Sequence, residues 1–209
     1  MIEIANMYFY DEQCAKNISA AFPDAKIYIM LRNPFERLLS AARYRVSVGE
    51  VFDCKSVEDV IKLQPDILRQ SLVYTNSKPW IKYFGDNVNF MKFDEMQNEP
   101  QRFFASLLQD NSLALPSDLS FDKKKNVANN ARNKHIIIML QNIKLALRYL
   151  IPYAWVDKIA NTRIVKHIAY THTPVVLEDN LGDATCDELN YQIKKLGDLL
   201  GESFDHWLR

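Results

Sequence analysis

The 209-residue chain is 48% hydrophobic and 25% charged, with Lys+Arg and Asp+Glu balanced at 26 each and a pI near 6.9. This balance excludes a polyelectrolyte surface for DNA, RNA or an anionic membrane as the main partner, so any anion site must be local. Cys14, Cys54 and Cys186 stand far apart with no CxxC or Cys/His cluster, which fits a reducing compartment and excludes a disulfide framework or a zinc site.

The start, MIEIANMYFYDEQ, carries acidic residues early and lacks a basic region followed by an apolar stretch, so it is not read as a secretory signal and a cytoplasmic location is expected. Glu3 to Tyr10 is mostly apolar and aromatic and predicts a strand. Asp11 caps a helix carrying Cys14, Ile18 and Phe22, which Pro23 stops. Lys26 to Leu31 is the next strand, apolar on both faces after Lys26, as a buried parallel strand requires. Asn33 is a helix cap, Pro34 suits the first helical position, and the helix runs from Pro34 to about Val48. Strand, tight loop and helix make half of a βαβ unit.

Helical stretches follow over Ser56 to Gln64 and Asp66 to Phe84. The break Gly85-Asp86-Asn87 leads into a short strand, Val88 to Phe93, and a helix from about Glu99 to Gln109. Strands alternating with helices imply a parallel sheet flanked by helices. A polar loop, Asp122 to Asn133, separates this α/β part (1–121) from a nearly all-helical part (131–209), the whole forming one domain. In the second part, His135 to Trp155 is interrupted by Gln141, Asn142, Lys144 and Arg148, which makes it a core helix and not a membrane span. Thr185-x-x-Glu188 reads as a capping box for a helix with Leu189, Ile193, Leu196 and Leu200 on one face, ended by Gly201.

Chemistry concentrates in LRNPFERLLSAARY. In open α/β sheets ligands sit beyond the carboxyl ends of the strands, where helix N-termini present free N–H groups. Arg32 lies at such a place, and Arg37, Ser40 and Tyr44 are spaced to share one face of the following helix. A guanidinium grips phosphate with two parallel hydrogen bonds, and a serine adds a neutral donor. The spacing equally allows Arg32 to form a structural ion pair with Glu36 or Asp94 and Ser40 to fill a gap in helix packing.

The stretch resembles the 3'-phosphate-binding motif of the PAPS-dependent sulfotransferases, bacterial and heparan-sulfate-type. In these a strand ends in arginine and the next helix carries a serine eight residues later, as Arg32 and Ser40 do, with Pro34 and Arg37 matching the R-x-P-x-x-R-x-x-S form. IEIANMYFYDEQCAKNISAAFPDAKI, SLVYTNSKPWIKYFGDNVNFMKFDEMQNEPQRFFASLL and the ending KKLGDLLGESFDHWL are similar to the family's flanking segments, so the resemblance covers most of the chain.

The resemblance implies a three-layer, P-loop-NTPase-like parallel sheet flanked by helices, N-terminally incomplete, with a mostly helical C-terminal part. It implies 3'-phosphoadenosine 5'-phosphosulfate (PAPS), or its product adenosine 3',5'-bisphosphate, as cofactor. Arg32 and Ser40 would hold the 3'-phosphate, Arg37 and Tyr74 would complete the cofactor set, and Lys123, Lys124 and Lys125 fall where the family has a basic loop over the cofactor. The activity implied is sulfuryl transfer to a hydroxyl or amine of a carbohydrate, lipid or small molecule, with no metal, no nucleic acid partner and no transmembrane segment.

The family's phosphosulfate loop, a Lys-Ser/Gly-Thr-Thr segment, has no counterpart after any of Gly49, Gly85, Gly182, Gly197 or Gly201. The alternative is therefore a non-catalytic sulfotransferase-like fragment or nucleotide-binding module. The catalytic base is not assigned. Glu3 is the carboxylate nearest the expected place, and His135, His167, His172 and His206 are read as structural or exposed.

Overall fold

A computed structural model describes residues 3–5, 7–113, 116, 130–131, 138–139, 142–143, 145–146, 162, 170–171 and 175–209. The chain forms two compact units, Met1–Leu38 with Asp66–Lys125 and Gly182–Arg209, and Leu39–Pro65 with Asn126–Leu181.

In the first unit, β1 (Ile27–Leu31) and β2 (Val88–Lys92) pair in parallel, in a register that runs from Ile27 opposite Val88 to Leu31 opposite Lys92. Both were expected as strands. Burial along β1 has period two, with Ile29 and Leu31 inside and Met30 42% exposed, so the two-sided burial expected of this run holds on one face. The helix α1 (Glu12–Ala21) is capped as its sequence predicts, Asp11 Oδ1 accepting from Gln13 N at 2.9 Å.

The predicted strand before α1 does not form. Met7 to Tyr10 make a turn in which Asp11 N donates to Tyr8 O at 3.1 Å, and Ile4 and Met7 are exposed. Apolar composition alone could not hold this segment extended, since among the described residues no strand pairs with it.

The helix α2 (Pro34–Ser47) starts at Asn33, whose Oδ1 accepts from Phe35 N at 3.0 Å, and it buries Phe35, Leu38 and Ala42 along one stripe. After α3 (Val57–Leu63) comes the single turn α4 (Asp66–Arg69), then α5 (Val73–Phe84). Val73, Asn76, Ser77, Trp80 and Phe84 form the buried stripe of α5, which packs against β1, β2 and α1. Trp80 Nε1 donates to Phe9 O at 2.9 Å and so ties the N-terminal turn to this helix. Beyond β2 lie α6 (Phe93–Asn98) and α7 (Pro100–Gln109), the latter with proline in its first turn.

The helix α8 (Asp183–Leu200) packs on α5 through a stripe containing Leu189, Ile193 and Leu196. It begins three residues earlier than the expected capping box allows. Gly182 is the N-cap, Thr185 lies inside the first turn and is buried, and Glu188 accepts from Gln192 instead of returning to the cap. Gly201 ends α8 with φ +66°, the left-handed cap that glycine adopts without strain. The chain then folds back closely enough that a Cβ on Gly197 would lie 2.8 Å from Glu202 O, and Phe204 and Trp207 close the core.

In the second unit, the capping box absent from α8 occurs at α3. Ser56 Oγ accepts from Asp59 N at 3.2 Å and Asp59 Oδ2 from Ser56 N at 3.0 Å. Glu178 joins the same place from a distant part of the chain, bonding through its backbone to Lys55 and Val57. Asn130–Ala131 (β3) pairs antiparallel with Tyr170–Thr171 (β4), a ladder within the part expected to be nearly all helical.

Positions 138–139, 142–143 and 145–146 are helical as expected, but Ile138, Met139, Ile143 and Leu145 are 41–53% exposed and not core. A segment apolar on most of its faces leaves some of them outside when packed from one side. Among the described residues no helix is long and apolar enough to cross a membrane.

Candidate functional site

The carboxyl ends of the two parallel strands lie side by side, because Leu31 is opposite Lys92 in the register. The next residue on each, Arg32 and Phe93, therefore meet, and the Arg32 guanidinium stands 4.8 Å from the centroid of the Phe93 ring. Arg32 Nε is 3.6 Å from Glu36 Oε2, one turn into α2, and this carboxylate is half exposed. Of the two ion pairs that the sequence allowed, the one with Glu36 is therefore formed. At that length it is a weak, screened attraction and not a hydrogen bond. Arg32 Nε is itself shielded from solvent and has no hydrogen-bond acceptor among the described residues. A shielded donor without an acceptor is costly.

Arg37 is turned the other way. Its Nη1 donates to Ser71 Oγ at 2.9 Å and to Ile67 O at 3.4 Å, and its Nη2 donates to Gln70 Oε1 at 3.0 Å. These acceptors lie at the carboxyl end of α4, where carbonyls face a cation favourably, so Arg37 braces α2 on the α4–α5 junction. Burial lowers its pKa; Tyr10 and Asp66 oppose that shift and the like charge of Arg32 adds to it.

Ser40 and Tyr44 are exposed on α2, and Ser40 is not packed into a helix interface. Tyr74 lies in the first turn of α5 with Lys78 Nζ 4.9 Å over its ring. No hydrogen bond or ring contact among the described residues joins it to Arg32 or Arg37. Lys92 points to the face opposite Arg32, paired with Glu202 and lying 5.6 Å over the Phe204 ring, and so fastens the C-terminal segment to the sheet.

Glu3 accepts a hydrogen bond from Tyr8 Oη at 3.0 Å, which holds the Tyr8 phenol above its ordinary value. His206 lies beside the rings of Phe204 and Trp207, which are themselves in contact at 4.7 Å between centroids. Lys123, Lys124, Lys125, His135, His167 and His172 lie outside the described residues. Phe93 is the site residue that sequence reasoning missed. The available signal was strand register: once β1 and β2 are aligned, the residue after β2 is the neighbour of Arg32.

No protein-family model matches the chain, and no curated protein matches it. Among solved structures it is similar to a sulfotransferase from Alicyclobacillus acidocaldarius, with a TM-score of 0.56 and 16% sequence identity over 97% of this chain. The match covers 65% of the length of that protein. The likeness establishes a sulfotransferase-like α/β fold built on a small parallel sheet.

Proposed function

We propose that the chain is a sulfotransferase-like protein that binds PAPS, or adenosine 3',5'-bisphosphate, with the 3'-phosphate against Arg32 and Ser40, on a three-layer, P-loop-NTPase-like sheet. The observation that carries this reading is Arg32 itself. It follows the carboxyl end of a parallel strand, stacks on Phe93, and keeps an unsatisfied, shielded Nε beside the first turn of α2. A phosphate there gains two charge-assisted hydrogen bonds from the guanidinium and the field of a 14-residue helix N-terminus. Ser40 adds a neutral donor eight residues along, so its share is smaller. Tyr74 is assigned to the nucleotide side of the same site. The sulfotransferase-like fold supports transfer to a hydroxyl or amine acceptor.

A second reading, nucleotide binding without chemistry, is favoured by one observation: no glycine of this sequence is followed by Lys-x-Thr-Thr. Two measurements separate the readings. Calorimetry with adenosine 3',5'-bisphosphate should show binding by the wild type, a loss of about a hundredfold or more in Arg32→Ala, and a smaller loss in Ser40→Ala. Equal affinity of wild type and Arg32→Ala removes the site. Transfer of labelled sulfuryl from PAPS to an acceptor mixture by the purified chain decides for the enzyme, and binding without transfer decides for the binding module.

A further inference from the structure

Arg32 and the first turn of α2 together offer an anion a guanidinium on the Phe93 ring, a helix N-terminus and one open backbone donor. Pro34 has no N–H, the Phe35 N–H donates to Asn33 Oδ1 at 3.0 Å, and the Arg37 N–H donates to Asn33 O at 2.9 Å. That leaves the N–H of Glu36, which has no acceptor among the described residues. The residue that presents this donor also carries the acid that answers Arg32. Helical side chains lean toward the N-terminus of their helix, so the Glu36 carboxylate hangs back over the same turn, its Oε2 3.6 Å from Arg32 Nε. No other carboxylate among the described residues lies within 4.0 Å of Arg32, and the pairing with Asp94 that the sequence also allowed is not made.

We propose that Glu36 is a built-in competitor at Arg32: its carboxylate and the ligand's phosphate take turns beside the guanidinium, the one swinging out to water as the other arrives, so that Glu36 caps the affinity of the site. This rests on the reading of Arg32 as the phosphate site and adds a regulation of that site. Several features suit the contact to exchange. At 3.6 Å it is too long for a hydrogen bond, so little is lost when it opens. The Glu36 side chain is 51% exposed against 31% for Arg32, so the carboxylate leaves without stranding a charge. Were it to stay, two like charges would share one guanidinium and repel each other. The arrangement sets binding against folding. An acid in the first turn stabilises a helix, while the same acid weakens the ligand's hold on Arg32. A residue that merely shaped the turn would move stability and affinity in the same direction.

The test measures adenosine 3',5'-bisphosphate binding by calorimetry, together with melting temperature, in the wild type, Glu36→Gln, Arg32→Ala and the double variant. Glu36→Gln keeps the length of the side chain and removes its charge. It should bind the bisphosphate about three- to tenfold more tightly than the wild type while melting about 1–4 °C lower. The double variant should bind no better than Arg32→Ala. Affinity that is unchanged or reduced in Glu36→Gln, with Arg32→Ala still defective, overturns the proposal and leaves the Arg32 site standing. An equal gain in the Arg32→Ala background also overturns it, since Glu36 would then repel the nucleotide at large and not contest Arg32. Equal affinity of wild type and Arg32→Ala removes the Arg32 site and this role with it.

Discussion

Arg32 is a guanidinium with more donors than partners, and what keeps it so is Phe93. An aromatic face attracts the cation by about 0.5–1 kcal/mol at a partly exposed site without consuming any N–H group. The ring therefore orients the guanidinium while leaving its donors for a ligand. Replacing Phe93 by Ala removes that orientation and should weaken adenosine 3',5'-bisphosphate binding about three- to fivefold in calorimetry, far less than Arg32→Ala, while Phe93→Tyr should retain affinity. A loss in Phe93→Ala as large as in Arg32→Ala would mean that the ring meets the ligand directly. Arg32 was legible because its place depends on local order alone: a strand, a residue, then a proline-led helix. The platform beneath it was not, since Phe93 comes 61 positions later in the chain and only pairing of the two strands brings it there.

Helix ends show how far short motifs carry. The cap at Asp11 and the start at Asn33-Pro34 were read correctly because each cap closes a bond within two residues. At α8 the same reasoning chose Thr185-x-x-Glu188, although Gly182 offers a start that costs no side chain and leaves Thr185 to be buried. The box formed at Ser56 and Asp59 instead, where both reciprocal bonds are made. Ser56→Ala should lower stability by about 1 kcal/mol, a fall in melting temperature of about 2–4 °C for a chain of this size.

The Asp59 carboxylate adds a pH signature to that box. The hydrogen bond from the Ser56 side chain, then those from the backbone N–H groups of Ser56 and Lys55, hold its pKa below the usual 3.8. A carboxylate depressed in the folded state stabilises above its unfolded pKa, and that contribution is lost as pH falls through the lower, folded value. Melting temperatures followed from about pH 5 to about pH 2.5 should therefore fall more steeply for the wild type than for Asp59→Asn, which lacks the titrating group. Parallel curves would show that the box carries no such linkage.

At the scale of the molecule, the first unit depends on bonds that no local pattern announces. The α5 N-terminus begins at Leu72, which offers no side-chain cap, yet the N–H of Thr75 in its first turn is satisfied by Gln192 Oε1 of α8 at 2.9 Å. The same amide returns a bond from Nε2 to Thr75 Oγ1 at 2.9 Å, and Gln192 is 2% exposed. A polar residue within the apolar stripe of α8 thus caps a helix 117 positions away in sequence. Read alone, α8 presents Gln192 as an interruption between Leu189 and Ile193, and only the docking of α8 on α5 gives the amide its partners.

Two consequences follow from burying one amide against another helix's free N–H. Gln192→Leu preserves volume and apolar packing but removes the bonds to the N–H and hydroxyl of Thr75, and because Thr75 is itself exposed water replaces part of them, so the cost is about 1 kcal/mol; the melting temperature should drop by roughly 2–4 °C. Gln192→Glu restores an acceptor for the Thr75 N–H at the favourable end of the α5 dipole but places a charge in a shielded site. It should recover part of the loss above about pH 7 only if water reaches the carboxylate. A Gln192→Leu variant as stable as the wild type would show that the Thr75 N–H finds water in solution, and that α8 is held on α5 by its apolar stripe alone.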